Sequence, residues 1–159
     1  MKNVKSKGFT LVELLVVISL IGILAALALV SYTGTQKQAR DTQRKSDLKQ
    51  YQNSSEIFAN KNNGLYLSYG AAAAANATTL CTPLDLGTNC PDDPRVSEGQ
   101  LPYKYSSDGP GDGSTSATQY VFFAELENTS QYWALCSNGK VGVKDQADWS
   151  SPTNGACPL

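Results

Sequence analysis

The sequence predicts an α+β fold. One long amino-terminal helix, its first half suited to a membrane and its second half amphipathic, packs against roughly three to four antiparallel strands. Three observations carry this. Residues 9–30 form an apolar run of 22 positions in which only Thr10, Glu13, Ser19 and Gly22 are not strongly apolar. Residues 35–60 hold no Pro or Gly and repeat apolar side chains every three to four positions. From residue 101 the pattern changes to alternation, broken by Gly- and Asn-rich turns.

Composition bounds the function. The chain of 159 residues allows one domain with an appendage. With 13 Lys+Arg against 14 Asp+Glu it lacks the basic excess that neutralising phosphates needs. It holds no His, which removes Ser-His-Asp and Cys-His catalysis and every His-ligated metal site. No catalytic constellation and no cofactor or metal site is expected.

Residues 1–8, MKNVKSKG, carry three lysines and no acid. Lysines beside an apolar run hold that end on the cytoplasmic side, so the rest of the chain is expected outside. As a helix the run would be roughly 33 Å long, enough for a hydrocarbon core of about 30 Å. A secretory signal peptide cut near Ala26-Leu27-Ala28 and a plain membrane anchor both suit these features, but neither accounts for Glu13. A carboxylate within an apolar helix costs on the order of 2.5–3.5 kcal/mol on insertion scales and calls for a cationic partner. A cut between Gly8 and Phe9 would supply one: the new α-amino group of one copy, neutralised by Glu13 of its neighbour.

Lys7-Gly8-Phe9-Thr10-Leu11-Val12-Glu13 followed by an apolar run closely resembles the class III signal of type IV pilins and pseudopilins. The resemblance implies that a prepilin peptidase cuts between Gly8 and Phe9 and that Phe9 is then N-methylated. Glu13, with Thr10 beside it, would set the register between assembling subunits. It also implies a division into a leader (1–8), a transmembrane and assembly helix (9–34) and an extracytoplasmic head (35–159). The implied partners are the peptidase, other pilin subunits of the same or minor kinds, an inner-membrane assembly platform, and the membrane before assembly; no nucleic acid is expected. The chain would be a single-pass inner-membrane protein with its head outside, and afterwards part of an extracellular or periplasmic filament. Many relatives have a proline late in the apolar helix, where this chain has Val30. Any local melting would then start at Gly22 or Gly34, the helix's glycines.

In the second half of the helix, Leu48, Tyr51, Ser55 and Phe58 form a narrow stripe for packing under a sheet. One helix over 9–60 would span roughly 78 Å and end at Asn62-Asn63-Gly64, where Asn or Gly takes a left-handed cap. Residues 64–100, with a five-alanine run, read as a variable loop holding one short helix. Strands are expected over 102–107, 119–126, 131–137 and 140–144, with Asn138-Gly139 as a two-residue hairpin turn and 108–113 as a loop.

Cys81, Cys90, Cys136 and Cys157 lie in the part expected outside, where disulfides persist. Four cysteines allow three connectivities and the sequence does not choose. Local closure favours Cys81–Cys90 and Cys136–Cys157, and the second resembles the disulfide-bounded carboxy-terminal region of many type IV pilins. Zinc is disfavoured because no CxxC pair is present. Asp108 and Asp112 lack EF-hand spacing and read as a solvated turn rather than a calcium site. Major pseudopilins typically carry calcium and lack a terminal cysteine pair, so the cysteines point to a pilus.

Residues 37–49 hold five cations and two acids, while 85–127 hold eight acids and two cations. Two readings stand: solvated faces, or a basic helix that meets the acidic head of a neighbouring subunit through Arg40 and Arg44. DNA binding through the basic stretch is disfavoured because aromatics do not interleave with it. Asn53-Ser54-Ser55, Asn76-Ala77-Thr78 and Asn128-Thr129-Ser130 match the N-glycosylation pattern, which arises readily by chance in a chain rich in Asn and Ser. The expected function is a structural subunit of a type IV pilus-like filament. The alternatives are a pseudopilin of a type II secretion or DNA-uptake system and, from another class, a membrane-tethered extracellular binding module.

Overall fold

The computed structural model describes residues 8–87 and 90–159, so the leader lysines lie outside the described residues. The chain divides into two compact units, Met1–Lys37 and Gln38–Leu159. Helix α1 (Leu11–Lys61) runs through both without a break in its helical backbone, including Gly22, Val30 and Gly34.

In the first unit the described side chains are exposed, from Phe9 through Leu27. By length and composition this is the one helix among the described residues long and apolar enough to cross a membrane.

The second unit is an α+β head. Its helical part buries Asp41, Arg44, Leu48, Tyr51, Gln52, Ser55 and Ala59, a stripe at the three-to-four spacing that keeps one face on a partner. The helix closes as the Asn-Asn-Gly signal predicts. Asn63 and Gly64 take positive φ (56° and 80°), and the Gly64 N–H donates to the Ala59 carbonyl at 2.8 Å, the long-range bond of a Schellman cap.

The helix packs on a five-stranded antiparallel sheet in the order β2 (Ala75–Asn76), β3 (Lys104–Ser107), β5 (Tyr120–Glu125), β6 (Gln131–Cys136), β7 (Val141–Asp145). A small second sheet pairs β1 (Tyr66–Leu67) with β4 (Thr115–Ala117). Central β5 reads YVFFAE because both of its faces are covered. Tyr120, Phe122 and Ala124 join the helix-side core, whereas Val121 and Phe123 pack with Ala134, Cys136, Trp149, Cys157 and Leu159 on the outer face. A strand buried on both sides loses the apolar–polar alternation.

The helix-side core is rich in tyrosine, and each buried hydroxyl finds an acceptor, as such groups must. Tyr51 donates to the Pro91 carbonyl (2.6 Å), Tyr103 to Asp47 (2.8 Å) and Tyr105 to the Leu67 carbonyl (2.7 Å). Tyr120 and Tyr66 both donate to Glu56, at 2.6 and 3.0 Å. Burial, and then the Glu56 carboxylate, push the Tyr66 hydroxyl up to about 12.

Three details differ from the expectation. The sheet gains a fifth strand, β2, at the end of the alanine run. Alanine has little strand preference; the strand is placed instead by Gly70, whose φ of 64° turns the chain where a Cβ would lie 2.6 Å from the Ala75 nitrogen and the Tyr105 oxygen. The β6–β7 connection is not a two-residue turn. Gly139 takes the left-handed region (φ 83°) and Asn138 does not. The Gly139 N–H donates to Cys136 O (3.1 Å) and the Cys136 N–H to Lys140 O (2.9 Å), a type I turn with a glycine bulge. The loop also holds two short 3₁₀ turns, Ala77–Leu80 and Val96–Glu98, rather than one helix.

Candidate assembly site

Gly8, Phe9 and Thr10 precede the helix in non-helical backbone. Thr10 is the N-cap and Glu13 the third helical residue. The Thr10 N–H and hydroxyl both donate to Glu13 Oε2, at 2.8 and 2.6 Å. In return the Glu13 N–H donates to the Thr10 hydroxyl at 3.2 Å. This is a reciprocal capping box, which satisfies helix-end donors left without carbonyl partners. The Thr-x-x-Glu spacing ahead of an apolar run was its sequence signal, and reading Glu13 only as a partner for another copy missed it. Glu13 Oε1 accepts no hydrogen bond among the described residues. Ser19 turns its hydroxyl to the Val16 carbonyl at 2.8 Å, which closes that group on the helix itself. Around them Phe9, Leu11 and Leu27 are 83%, 81% and 68% exposed. Phe9, Glu13, Leu14 and Val17 line a shallow hollow on this surface.

In the head, disulfides join Cys81 to Cys90 and Cys136 to Cys157, with Cα–Cα separations of 5.7 and 5.6 Å. The first closes the loop beside Tyr51. The second ties the carboxy-terminal segment to β6 on the outer face, where Lys140 and Lys144 also hold the Leu159 and Pro158 carbonyls at 3.2 and 3.1 Å. Asp108 closes its loop by accepting from the Thr118 N–H and hydroxyl (2.7 and 2.6 Å) and the Gln119 N–H (3.0 Å). Asp112 accepts from the Ser114 N–H at 2.9 Å. Both carboxylates thus serve turns, and among the described residues no cluster of His, Cys, Asp or Glu is placed to hold a metal.

The two arginines, read as facing either solvent or a neighbouring subunit, do neither. Arg44 is buried and pairs within its own head with Asp41 (2.7 Å), Asp93 (2.5 Å) and Glu127. Arg40 and Arg95 pair with the other oxygen of Glu127 at 2.6 and 2.9 Å. Asp41 also accepts from the Glu127 and Asn128 N–H groups at 2.9 and 3.0 Å. Burial opposes the Arg44 charge, but the hydrogen bonds it donates to Asp93, Glu127 and Asp41 outweigh it and raise its pKa. Hydrogen bonding by Arg40 first, and then by Arg44 and Arg95, holds the Glu127 carboxyl well below the usual range against its burial. The basic helix does meet the acidic head, but the contact is internal. Helical periodicity had part of the signal: Arg44 and Asp41 continue the stripe of Leu48, Tyr51 and Ser55 by about two turns toward the amino terminus.

A helix that opens on an exposed apolar surface behind a capping box, and then packs on an antiparallel sheet, defines a pilin-like protein. The family described as the prokaryotic N-terminal methylation motif matches residues 3–29. The type IV major pilin protein PilA of Myxococcus xanthus (strain DK1622) is 40% identical over 47 residues, a stretch that is 30% of this chain and 21% of that protein. No solved structure matches the chain at a significant level. The motif and the likeness agree with the pilin-like class that the fold defines.

Proposed function

We propose that the chain is a structural subunit of a type IV pilus-like filament, cut by a prepilin peptidase between Gly8 and Phe9 and N-methylated on Phe9. The observation that carries this reading is the amino-terminal helix itself. The Thr10 and Ser19 hydroxyls and Glu13 Oε2 are closed internally while its apolar side chains are exposed, a surface far larger than a soluble monomer leaves open. Lipid covers it before assembly, with the head outside the inner membrane, and the same helix of other copies covers it afterwards. Non-helical backbone at Gly8 and Phe9 suits an extended peptidase substrate. Glu13 serves two roles with two oxygens: Oε2 closes the cap, and Oε1 receives the α-amino group of a neighbouring Phe9. An inner-membrane platform would drive the transfer from membrane to filament.

The test is the intact mass and amino-terminal sequence of the protein recovered from membranes and from sheared filaments. A chain that starts at methylated Phe9 in the filament fraction is the expected result. A chain that starts after Ala28, or absence from sheared filaments, overturns it. A pseudopilin is the second reading. The Cys136–Cys157 pair at the carboxy terminus and the saturated Asp108 favour the pilus.

A further inference from the structure

β7 ends the five-stranded sheet, and no strand lies beyond it. The two ends of its pairing with β6 show which backbone groups are spent. The Cys136 N–H donates to Lys140 O and the Gln146 N–H to Ser130 O. With Gly142 opposite Ala134 and Lys144 opposite Tyr132, the even-numbered residues of β7 carry the ladder bonds. In an antiparallel pair the alternate residues turn their N–H and C=O the other way, so Val141, Val143 and Asp145 hold both groups out from the open edge. Such an edge is ordinarily guarded by proline, a bulge, shortness or charges aimed into it. β7 has five residues, no proline and an unbroken register. Its own lysines are engaged elsewhere: Lys140 and Lys144 hold the Leu159 and Pro158 carbonyls on the outer face.

Beside this edge, donors outnumber acceptors. Val141 and Val143 stand opposite Leu135 and Trp133, on the helix side of the sheet, and each is 44% exposed. Trp133 Nε1 is buried and has no acceptor among the described residues. Lys45 lies over the same ring, with Nζ 4.7 Å from its centre. Exposed Lys49 follows one turn on and donates to Gln52. Neither lysine has an ion pair among the described residues. The acids nearby are already engaged. Asp41, Asp47 and Glu56 on the helix accept hydrogen bonds within the head, and Asp145 accepts one from Gln131.

We propose that β7 takes an extended segment of another protein as a sixth strand, one that turns both carboxylates and apolar side chains to the helix side. The outward N–H and C=O groups at 141, 143 and 145 call for an extended backbone. The exposed valines call for apolar side chains at strand spacing, and Lys45 and Lys49 for carboxylates between them. A second copy does not suit. Two-fold pairing of like β7 edges turns the two head helices opposite ways, whereas copies in one filament share a polarity. The opposite edge of the sheet, β2, offers only two residues.

The test is residue-resolved hydrogen exchange of the full chain in detergent, with and without the octapeptide Thr-Val-Thr-Glu-Thr-Val-Thr-Glu. As a strand this probe sets Val and Glu by turns on one face. At saturation it should slow exchange of the Val141, Val143 and Asp145 amides by roughly tenfold or more. The same peptide with Lys in place of Glu should give no protection. Lys45→Ala combined with Lys49→Ala should weaken binding of the Glu peptide roughly fivefold. Val143→Pro removes an outward N–H but no ladder bond, which an edge strand tolerates. It should abolish the protection at Val141 and Asp145 while thermal unfolding stays unchanged. Unprotected edge amides, equal protection by the Lys peptide, or full binding by Val143→Pro would overturn the proposal. Edge protection that arises without peptide and rises with protein concentration would put a second copy there and overturn it as well. None of these readouts depends on filament recovery, so the strand site and the filament reading fail separately.

Discussion

Arg44 on the helix and Asp93 in the loop, 49 residues apart in sequence, form a two-pronged ion pair with Nε–Oδ2 at 2.5 Å and Nη2–Oδ1 at 3.1 Å. Their side chains are 0% and 1% exposed. Removing one partner of such a pair strands the other charge in a poorly solvating interior. Arg44→Ala, which orphans Asp93 and weakens the hold on Asp41 and Glu127, should destabilise the head by about 3–5 kcal/mol. Arg44→Glu should prevent folding. Denaturant unfolding of the full chain in detergent reads both, and a change confined to filament yield would contradict this assignment.

Acid should loosen the same cluster. Glu127 is held below its ordinary value of 4.5, by Arg40 foremost. Its contribution is therefore complete above that value and is lost as pH falls toward the depressed folded value. Asp108, where hydrogen bonds from Thr118 and Gln119 outweigh burial, acts in the same direction below 3.8. Asp47, raised by burial, acts in the opposite direction. The unfolding midpoint should fall between about pH 5 and pH 3, and Glu127→Gln should flatten that fall while lowering stability at neutral pH.

At the amino terminus, Glu13→Ala should leave cleavage after Gly8 intact while impairing assembly. Thr10→Ala, which removes the cap but keeps the carboxylate, should cost the helix end about 1 kcal/mol and impair assembly less. The masses of the membrane pool and the amounts in sheared filaments separate the two. Equal losses would mean that the cap, rather than the free oxygen, is what assembly needs.

The Cys136–Cys157 bond closes a loop with a sequence separation of 21. In the chain-entropy model a loop of that size contributes roughly 3 kcal/mol. The paired Cys136→Ser, Cys157→Ser variant should lower the unfolding midpoint accordingly. It should also expose Phe123, Tyr132 and Trp149 on the outer face, where Tyr132 and Trp149 stack with ring centres 4.3 Å apart. An unchanged tryptophan emission maximum would show that the terminal segment stays in place without the bond.

Much of this architecture was legible because it is periodic. The helix from Leu11 to Lys61 and the strand around Val143 carry a repeat that a single geometry satisfies, and the strand around Phe122 shows by its β-rich composition. The arginine cluster was not legible in the same way. Periodicity places Asp41 and Arg44 on the buried helical stripe, but nothing local distinguishes Asp93, Arg95 or Glu127 from residues that will be solvated. Read as regional net charge, these residues suggested either solvated faces or a contact between subunits; only the fold, by bringing Glu127 over the helix, made the contact internal. The β2 strand was hidden for a different reason, since its Ala-Asn pair has no strand preference and is fixed by the turn at Gly70. At Glu13 the residue was legible from the cost of a carboxylate in an apolar helix, while its capping role, signalled by the Thr-x-x-Glu spacing, was missed.

The ion cluster also governs how the loop moves. Releasing the segment around Asp93 and Arg95 would leave the Arg44 guanidinium under the sheet without its two-pronged acceptor, so the loop does not lift while the helix and sheet remain joined. Its amides should therefore exchange with solvent at the rate of the whole head rather than at the faster rate of a surface loop. The part of the head whose sequence is most irregular thus shares the cooperativity of the core, and variation among its exposed positions leaves the head a single opening unit.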